Sequence, residues 1–443
     1  MKNFLLLILS PILLISCSAP QAQTAFTNVN LLPMDSDQVL ANQTVIIENE
    51  RIIQVGNSEE IELPSGATII DGSDKYLMPG LAEMHGHVPP TNPDPSAPGY
   101  FDKEYVESTL FLYVSNGITT VRGMLGYEDQ LSLKDSVNSG AYIGPNLYLA
   151  GPSFNGNTIS SPKEAKDRVI QQYEEGWDLL KIHPGLTKEQ YDAMAEAANE
   201  VDITFGGHVP EDVGVIHAIE SGQITIDHVD GYVRYLSQFD ADEMTLKLDE
   251  VIQLTKENNV WIVPTMALWE TIIGAADYEA MKAYDELKYI PEAVKQNYFT
   301  FAETPQTGYA IGDPQEQAKL RTRILAEMNR AGVKILMGTD APQLFSVPGF
   351  SIHRELPYMK AAGMTNFEIL KSGTQNVGEY FSEWDVFGTI AEGQRADLIL
   401  MNENPLEDLS AIQNHSGVMV RGNWYSREMI DEKLTEIEAY YSK

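Results

Sequence analysis

Two histidines one residue apart, His85-Gly-His87, close a short apolar run that begins near Gly80. In an extended strand, residues two apart point to the same side, so both imidazoles can reach one ion. The pair alone is weak evidence, because chance pairs of surface histidines are common. It gains weight from His208, His228 and Asp340, each of which ends an apolar run of its own. Four imidazoles and a carboxylate converging on one face would be costly as mere packing, and they match the ligand preferences of zinc or a similar divalent ion. Lys181 lies in another such run, Asp178-Leu-Leu-Lys-Ile-His183. A protonated amine beside metal ions is repelled, so this lysine either snorkels away, the usual fate of one taken singly, or loses its charge. Reaction with carbon dioxide would make it an anionic N6-carboxylated lysine with two oxygens able to bridge two metals.

These residues need a frame that brings the ends of many strands together. Between residues 79 and 387, short apolar strands at 80–85, 118–122, 147–150, 178–182, 203–208, 224–228, 261–264 and 335–340 alternate with helical stretches such as 188–200 and 211–221. Eight such units predict an α/β fold, a (β/α)8 TIM-like barrel. A doubly wound open sheet competes with it. It loses because polar and ionisable residues end many different strands, where a barrel gathers its site. Residues 26–78 read instead as β-branched runs broken by turns, with a hairpin at Asn49-Glu50, and similar runs return in 388–443. Both ends are therefore expected to form one small composite β-sandwich domain, with a terminal helix, around the barrel. The stretch 265–330 holds Tyr278, Tyr284, Tyr289, Tyr298, Phe299 and Phe301. It is expected either as a lid or substrate wall on the catalytic face or as plain core.

The motifs Tyr76-Leu-Met-Pro-Gly-Leu-Ala-Glu-Met-His-Gly-His87, Gly117-Ile-Thr-Thr-Val-Arg122, Leu180-Lys-Ile182, Gly207-His208, Ile226-Asp-His228, Gly338-Thr-Asp-Ala341 and Gly388-Thr-Ile-Ala-Glu-Gly-Gln-Arg-Ala-Asp397 span nearly the whole chain. Together they resemble the amidohydrolase superfamily, in its imidazolonepropionase-related and prolidase-like branch. The resemblance implies a metal-dependent hydrolase with two divalent ions, zinc by preference. His85, His87, carboxylated Lys181 and Asp340 would hold one ion, and carboxylated Lys181, His208 and His228 the other. Imidazolonepropionases use one metal without the lysine, so their own activity is not implied. Two positions depart from the pattern. Gly123 stands where an Asp usually follows the Val-Arg pair, which would loosen an ion pair under the barrel, and His208-Val-Pro-Glu211 replaces a small-residue motif.

On this reading a hydroxide shared by two ions about 3.5–4 Å apart attacks a carbonyl carbon. Asp340 takes its proton and delivers it to the leaving nitrogen. Tyr232 or His183 is a candidate hydrogen-bond partner of the oxyanion. His183 shares the face of Lys181, so it contacts substrate or fixes a loop. Arg122 meets a substrate carboxylate or makes a structural ion pair. His353 orders the loop after the eighth strand and is a further substrate candidate. His217 belongs to a helix face, and His415 is expected on the β-domain surface. The substrate is a small molecule with an amide or peptide-like bond, such as a dipeptide or N-acyl amino acid. Three rivals remain: a mononuclear deaminase using Glu211, a lactonase or phosphotriesterase-like hydrolase, and a surface lipoprotein that binds without turnover.

The chain's 443 residues include 64 Asp and Glu against 30 Lys and Arg, a net charge of -34. Phosphate binding needs clustered cations, so a nucleic-acid partner is excluded as an expectation. A hydrophobic share of 43% fits a large core rather than a disordered acidic chain. Lys2 precedes an apolar run from Phe4 to Ile15, too short to span a bilayer, and Leu14-Ile15-Ser16-Cys17 resembles a bacterial lipobox. Residues 1–16 are thus expected as a lipoprotein signal peptide, Cys17 as the lipid-bearing mature N-terminus and 17–25 as a tether. The protein would be exported, periplasmic or at the outer membrane, touching the membrane only through that anchor. A homo-oligomer is compatible with the sequence.

Overall fold

A computed structural model describes residues 23–89, 103–305 and 308–442. Seven parallel strands form the wall of the barrel: Leu81–Gly86, Ile118–Gly123, Asn146–Leu149, Leu180–Ile182, Phe205–Gly207, Thr225–Asp227 and Trp261–Val263. All of their residues are buried, as strands covered on both faces must be. The first three strands pair with one another, as do the last four, and a parallel bridge from Ala150 to Leu179 joins the two sets. The predicted eighth strand, 335–340, is an extended segment rather than a regular strand. Ile335 bridges Ile262, and Met84 N donates to Met337 O at 2.9 Å, which closes the ring. Gly338 permits this closure, because a Cβ there would lie 2.9 Å from His85 N.

Helices return the chain between strands, and their ends are written locally. Lys188–Val201 opens on a capping box between Thr187 and Gln190 and buries Tyr191, Met194 and Ala198. Pro314–Ala331 opens on Asp313 with proline in its first turn and stops at Gly332, at φ 75°.

The two ends of the chain meet in one sheet. Its strand order is Asn423–Ser426, His415–Val420, Leu398–Met401, Tyr76–Pro79, Gln23–Leu31, Leu40–Glu48 and Arg51–Asn57, with Thr68–Asp71 beside Gln23–Leu31. Antiparallel pairing of Leu398–Met401 with Tyr76–Pro79 joins the C-terminal strands to the N-terminal ones. The sandwich-like enclosure comes from this single curled sheet: Trp424 on its edge strand meets Phe26 edge-on, ring centroids 5.2 Å apart, over a core that includes Val45, Ile47, Leu77, Leu398, Leu400 and Met419. The hairpin turns at Asn49, at φ 54°. Residues 23–25, expected in the tether, are already strand, because Gln23 pairs with Glu48. The expected signal peptide, Cys17 and the rest of the tether lie outside the described residues. Among the described residues no helix is long and apolar enough to cross a membrane.

Several aromatic residues of the 265–330 stretch pack on a core rather than cover the mouth, Tyr298 buried and Tyr284, Tyr289 and Phe299 half-buried against it. Tyr298 and Phe299 pack on Phe345, and Tyr289 stacks on Phe350 at 5.4 Å. Trp269 and Tyr309, their rings 5.6 Å apart, do face a cavity beside the barrel mouth.

Candidate metal centre

The C-terminal ends of five strand positions bring His85, His87, Lys181, His208, His228 and Asp340 to one point. The Nε2 atoms of His87, His85 and His228 lie 2.5, 3.6 and 3.8 Å from the Asp340 carboxylate. His228 is in ring contact with His85 and His208, centroids 4.3 and 4.4 Å apart. Lys181 is fully buried, with Nζ 3.0 Å from His85 Nε2.

The Nδ1 atoms explain how the rings are aimed. His85 Nδ1 bonds Asp227 at 2.6 Å, His208 Nδ1 bonds Asp230 at 2.9 Å, and His228 Nδ1 bonds Thr265 Oγ1 at 2.7 Å. Anchoring Nδ1 fixes the ring and leaves Nε2 free to ligate. His228 Nε2 is buried and has no hydrogen-bond partner in the protein. Burial, reinforced by neighbouring cationic groups, holds His85 and His228 well below the ordinary imidazole range. They are therefore neutral, with the lone pairs a metal requires. Burial also lowers Lys181 to about 8. Inward-facing imidazole nitrogens, a carboxylate and two orphaned buried nitrogens, His228 Nε2 and His87 Nδ1, fit a divalent metal centre, and His85, His228 and Asp340 place their ligand atoms within 4.8 Å of one another.

The backbone beneath this cluster is strained. His228, Val229, Thr265 and Asp340 have φ of 70°, 55°, 44° and 63°. Such values are outliers for β-branched residues and persist only where the surroundings enforce them. Glu83 supplies part of that enforcement. Buried below the cluster, it accepts from His85 N at 3.0 Å and from Thr339 N at 2.7 Å, tying the first strand to the closing segment. Burial raises it to about 8.

Several expected contacts lie elsewhere. Tyr232 does not reach the site: it is fully buried, and its hydroxyl bonds Thr255 at 2.8 Å, because its helix turns that face toward helix Ala241–Glu257. Arg122 is no substrate contact. It is sealed inside the barrel, donating to both Asp227 oxygens, at 3.0 and 3.2 Å, and to Met84 O. This is the structural ion pair, and Gly123 does not loosen it, because Asp227 from the sixth strand supplies the carboxylate. His353 sits outside the mouth, bonded to Asn116 at 3.0 Å on the helix Ser351–Ala361. His415 belongs to the β-domain but is buried, not exposed, with Nε2 donating to Ser115 O at 2.9 Å. His217 is on a helix, paired with Asp192 at 2.5 Å. Of the substrate candidates only His183 is at the mouth, stacked on His208 at 5.2 Å, with burial and Lys181 keeping it neutral.

Sequence reasoning passed over Asp227, Asp230, Thr265 and Glu83. A signal existed for the first two, which stand one residue before and two after His228. No local pattern marks Thr265. Beside the cluster opens a cavity of about 390 Å³ lined by Leu186, Val209, Asp230, Trp269, Tyr309 and Gln317 among others. Glu211 lies on its rim, 73% exposed and paired with Arg234 at 2.9 Å rather than turned to the histidines.

Known proteins share this arrangement of chain. An ochratoxinase from Aspergillus niger is 23% identical over 91% of this chain and 86% of its own. The crystal structure of a Xaa-Pro dipeptidase with bound methionine in the active site aligns with TM-score 0.69 and 23% identity, over 91% of this chain and all of that one. A bottromycin amidohydrolase aligns with TM-score 0.73 and 18% identity, over 95% and 90% of the two chains. Residues 76–425 match the family described as amidohydrolase family, and the chain belongs to it, a hydrolase of carbon-nitrogen bonds built on the metal-binding barrel.

Proposed function

We propose that the protein is a binuclear metal-dependent amidohydrolase that cleaves the amide or peptide-like bond of a small substrate such as a dipeptide or N-acyl amino acid. One observation carries the binuclear reading: Lys181 Nζ, fully buried, lies 3.0 Å from a ligating histidine nitrogen, amid neighbours that would ligate a cation. An ammonium there would oppose every metal charge. The depressed basicity makes the neutral amine available, and its reaction with carbon dioxide gives the carbamate that the two ions would share. His85, His87, Asp340 and carboxylated Lys181 would hold one ion, and carboxylated Lys181, His208 and His228 the other.

Bound divalent ions supply a polarised carbonyl and lower the pKa of water from ~15.7 toward ~7. The chain does the rest. Asp340 accepts the proton of the attacking water and returns it to the leaving nitrogen, which otherwise departs as a poor amide anion. His183, neutral and at the mouth, offers an N–H to the carbonyl oxygen as charge grows there. Trp269 and Tyr309 wall the cavity that receives the substrate, whose volume suits a dipeptide-sized molecule. Neighbours named as a dipeptidase and an amidohydrolase support that substrate class. Glu211, ion-paired and turned outward, weighs against the deaminase reading. The lipobox-like Leu14-Ile15-Ser16-Cys17 supports an exported, lipid-anchored enzyme.

A hydrolysis screen of the metal-replete protein over dipeptides and N-acyl amino acids tests the proposal. Release of amine and carboxylate from at least one class is expected. Ammonia release without chain cleavage would establish the deaminase, and binding with no turnover in any class would establish the binding protein.

A further inference from the structure

Arg321 stands on the helix Pro314–Ala331, which returns the chain to the closing segment, and is fully buried. One terminal nitrogen donates to the main-chain carbonyl of His228. The guanidinium lies over Trp269, 4.8 Å from the ring centroid, while Nε and the other terminal nitrogen have no partner. Burying a guanidinium with part of its donors idle is destabilising. A methionine would fill similar space without unpaired N–H groups. Packing therefore does not account for an arginine here, whereas holding a carbonyl does.

The carbonyl it holds belongs to a strained segment. His228 at φ 70° is followed by Val229 at φ 55°, a β-branched residue in the left-handed region. Such a conformation relaxes unless its surroundings enforce it. Relaxation here would rotate His228 and redirect its unpartnered Nε2. The 265–330 stretch grips the ring itself: Thr265 Oγ1 bonds Nδ1, and the Trp269 ring lies 5.4 Å from it. Buried Glu355 fastens the Trp269 helix, accepting from Met266 N and Ala267 N at 2.8 and 2.9 Å.

We propose that Arg321 is a positioning residue of the metal centre: through the His228 carbonyl it sets the aim of Nε2, which makes the helix Pro314–Ala331 a working part of the centre as well as a wall of the cavity. This rests on reading His228 as a ligand. The test is competitive chelator titration of zinc on the full chain and on Arg321→Met, Arg321→Lys and His228→Ala, with circular dichroism as the check on folding. His228→Ala should lose one ion. Arg321→Met should bind that same ion roughly 10- to 100-fold more weakly while keeping its secondary structure, and Arg321→Lys, which retains one donating nitrogen, should fall between it and the wild type. Wild-type affinity in folded Arg321→Met overturns the inference. If that variant does not fold, Arg321→Leu takes its place, and wild-type affinity there overturns it equally. Retention of both ions by His228→Ala would instead refute the ligand assignment, so the two failures are distinguishable.

Discussion

The β-domain and the barrel mouth spend burial in opposite ways. In the β-domain, Phe26, Val45, Ile47, Leu398, Leu400 and Met419 meet in an apolar core on a sheet whose hydrogen bonds run largely in register. At the barrel mouth the buried groups are Glu83, His85, Lys181, Asp227, His228 and Asp340, over a backbone with positive φ at the ends of two strands and the closing segment. Removing apolar area from water stabilises the first region directly. Burying ionisable groups costs free energy even when they are paired, so the second is poorly explained by stability. The contrast separates a scaffold from a site: side chains in the first are interchangeable within limits of volume, and those in the second are not.

The strongest way to break this contrast is at its reacting end. Asp340→Asn keeps the volume and removes the proposed proton acceptor, and kcat is expected to fall by ~10³-fold or more, within the range for general acid-base groups. Unchanged turnover would remove Asp340 from its role. Leu400→Ala tests the other side. Urea unfolding should show a loss of about 2–5 kcal/mol, with kcat of the folded fraction unchanged. A large fall in kcat there would dissolve the distinction. Between these lies Asp227→Asn, which disturbs both Arg122 and the aim of His85. Metal affinity should drop roughly 10- to 100-fold, since partners that orient ligands matter on that scale. An affinity equal to wild type would show that His85 needs no orienting carboxylate.

The smallest effect concerns pH. Burial pushes His415 down to about 4 and His353 to about 3, below the ~6.5 of an exposed imidazole. Between those values the unfolded chain binds protons that the folded chain refuses. Stability from these groups is therefore complete above about pH 6.5 and is lost as pH falls through 4 and then 3. His415→Gln should flatten the fall in unfolding free energy between pH 6.5 and 4. A slope identical to wild type would mean that the acid sensitivity resides elsewhere.

What could be read without coordinates follows the same division. The barrel, the join of the two chain ends and the six converging residues are written in local patterns: apolar runs, turn residues and a polar residue at the end of each run. The aim of the rings is not. Asp227 and Asp230 flank His228 in the chain, but they orient His85 and His208, a proximity that only the barrel creates, and nothing local marks Thr265. The expectation of Tyr232 at the oxyanion fails, and the two readings of Arg122 stay open in the sequence, for the same reason: one residue's rotation about a helix or strand decides between mouth and core. His415 is expected at the surface because it lies far from the barrel strands in sequence, but a backbone carbonyl at Ser115 satisfies it inside. The strained backbone at Val229 and Thr265 runs against local propensity, as functional positions often do.

The central claim is that the mouth holds two ions through a carboxylated Lys181. Elemental analysis of metal per folded chain, made on the wild type and Lys181→Ala after loading in bicarbonate buffer and removal of free metal, tests it most directly. Two ions per wild-type chain and one or none in Lys181→Ala are expected. A single ion in the wild type, or two in Lys181→Ala, would contradict it.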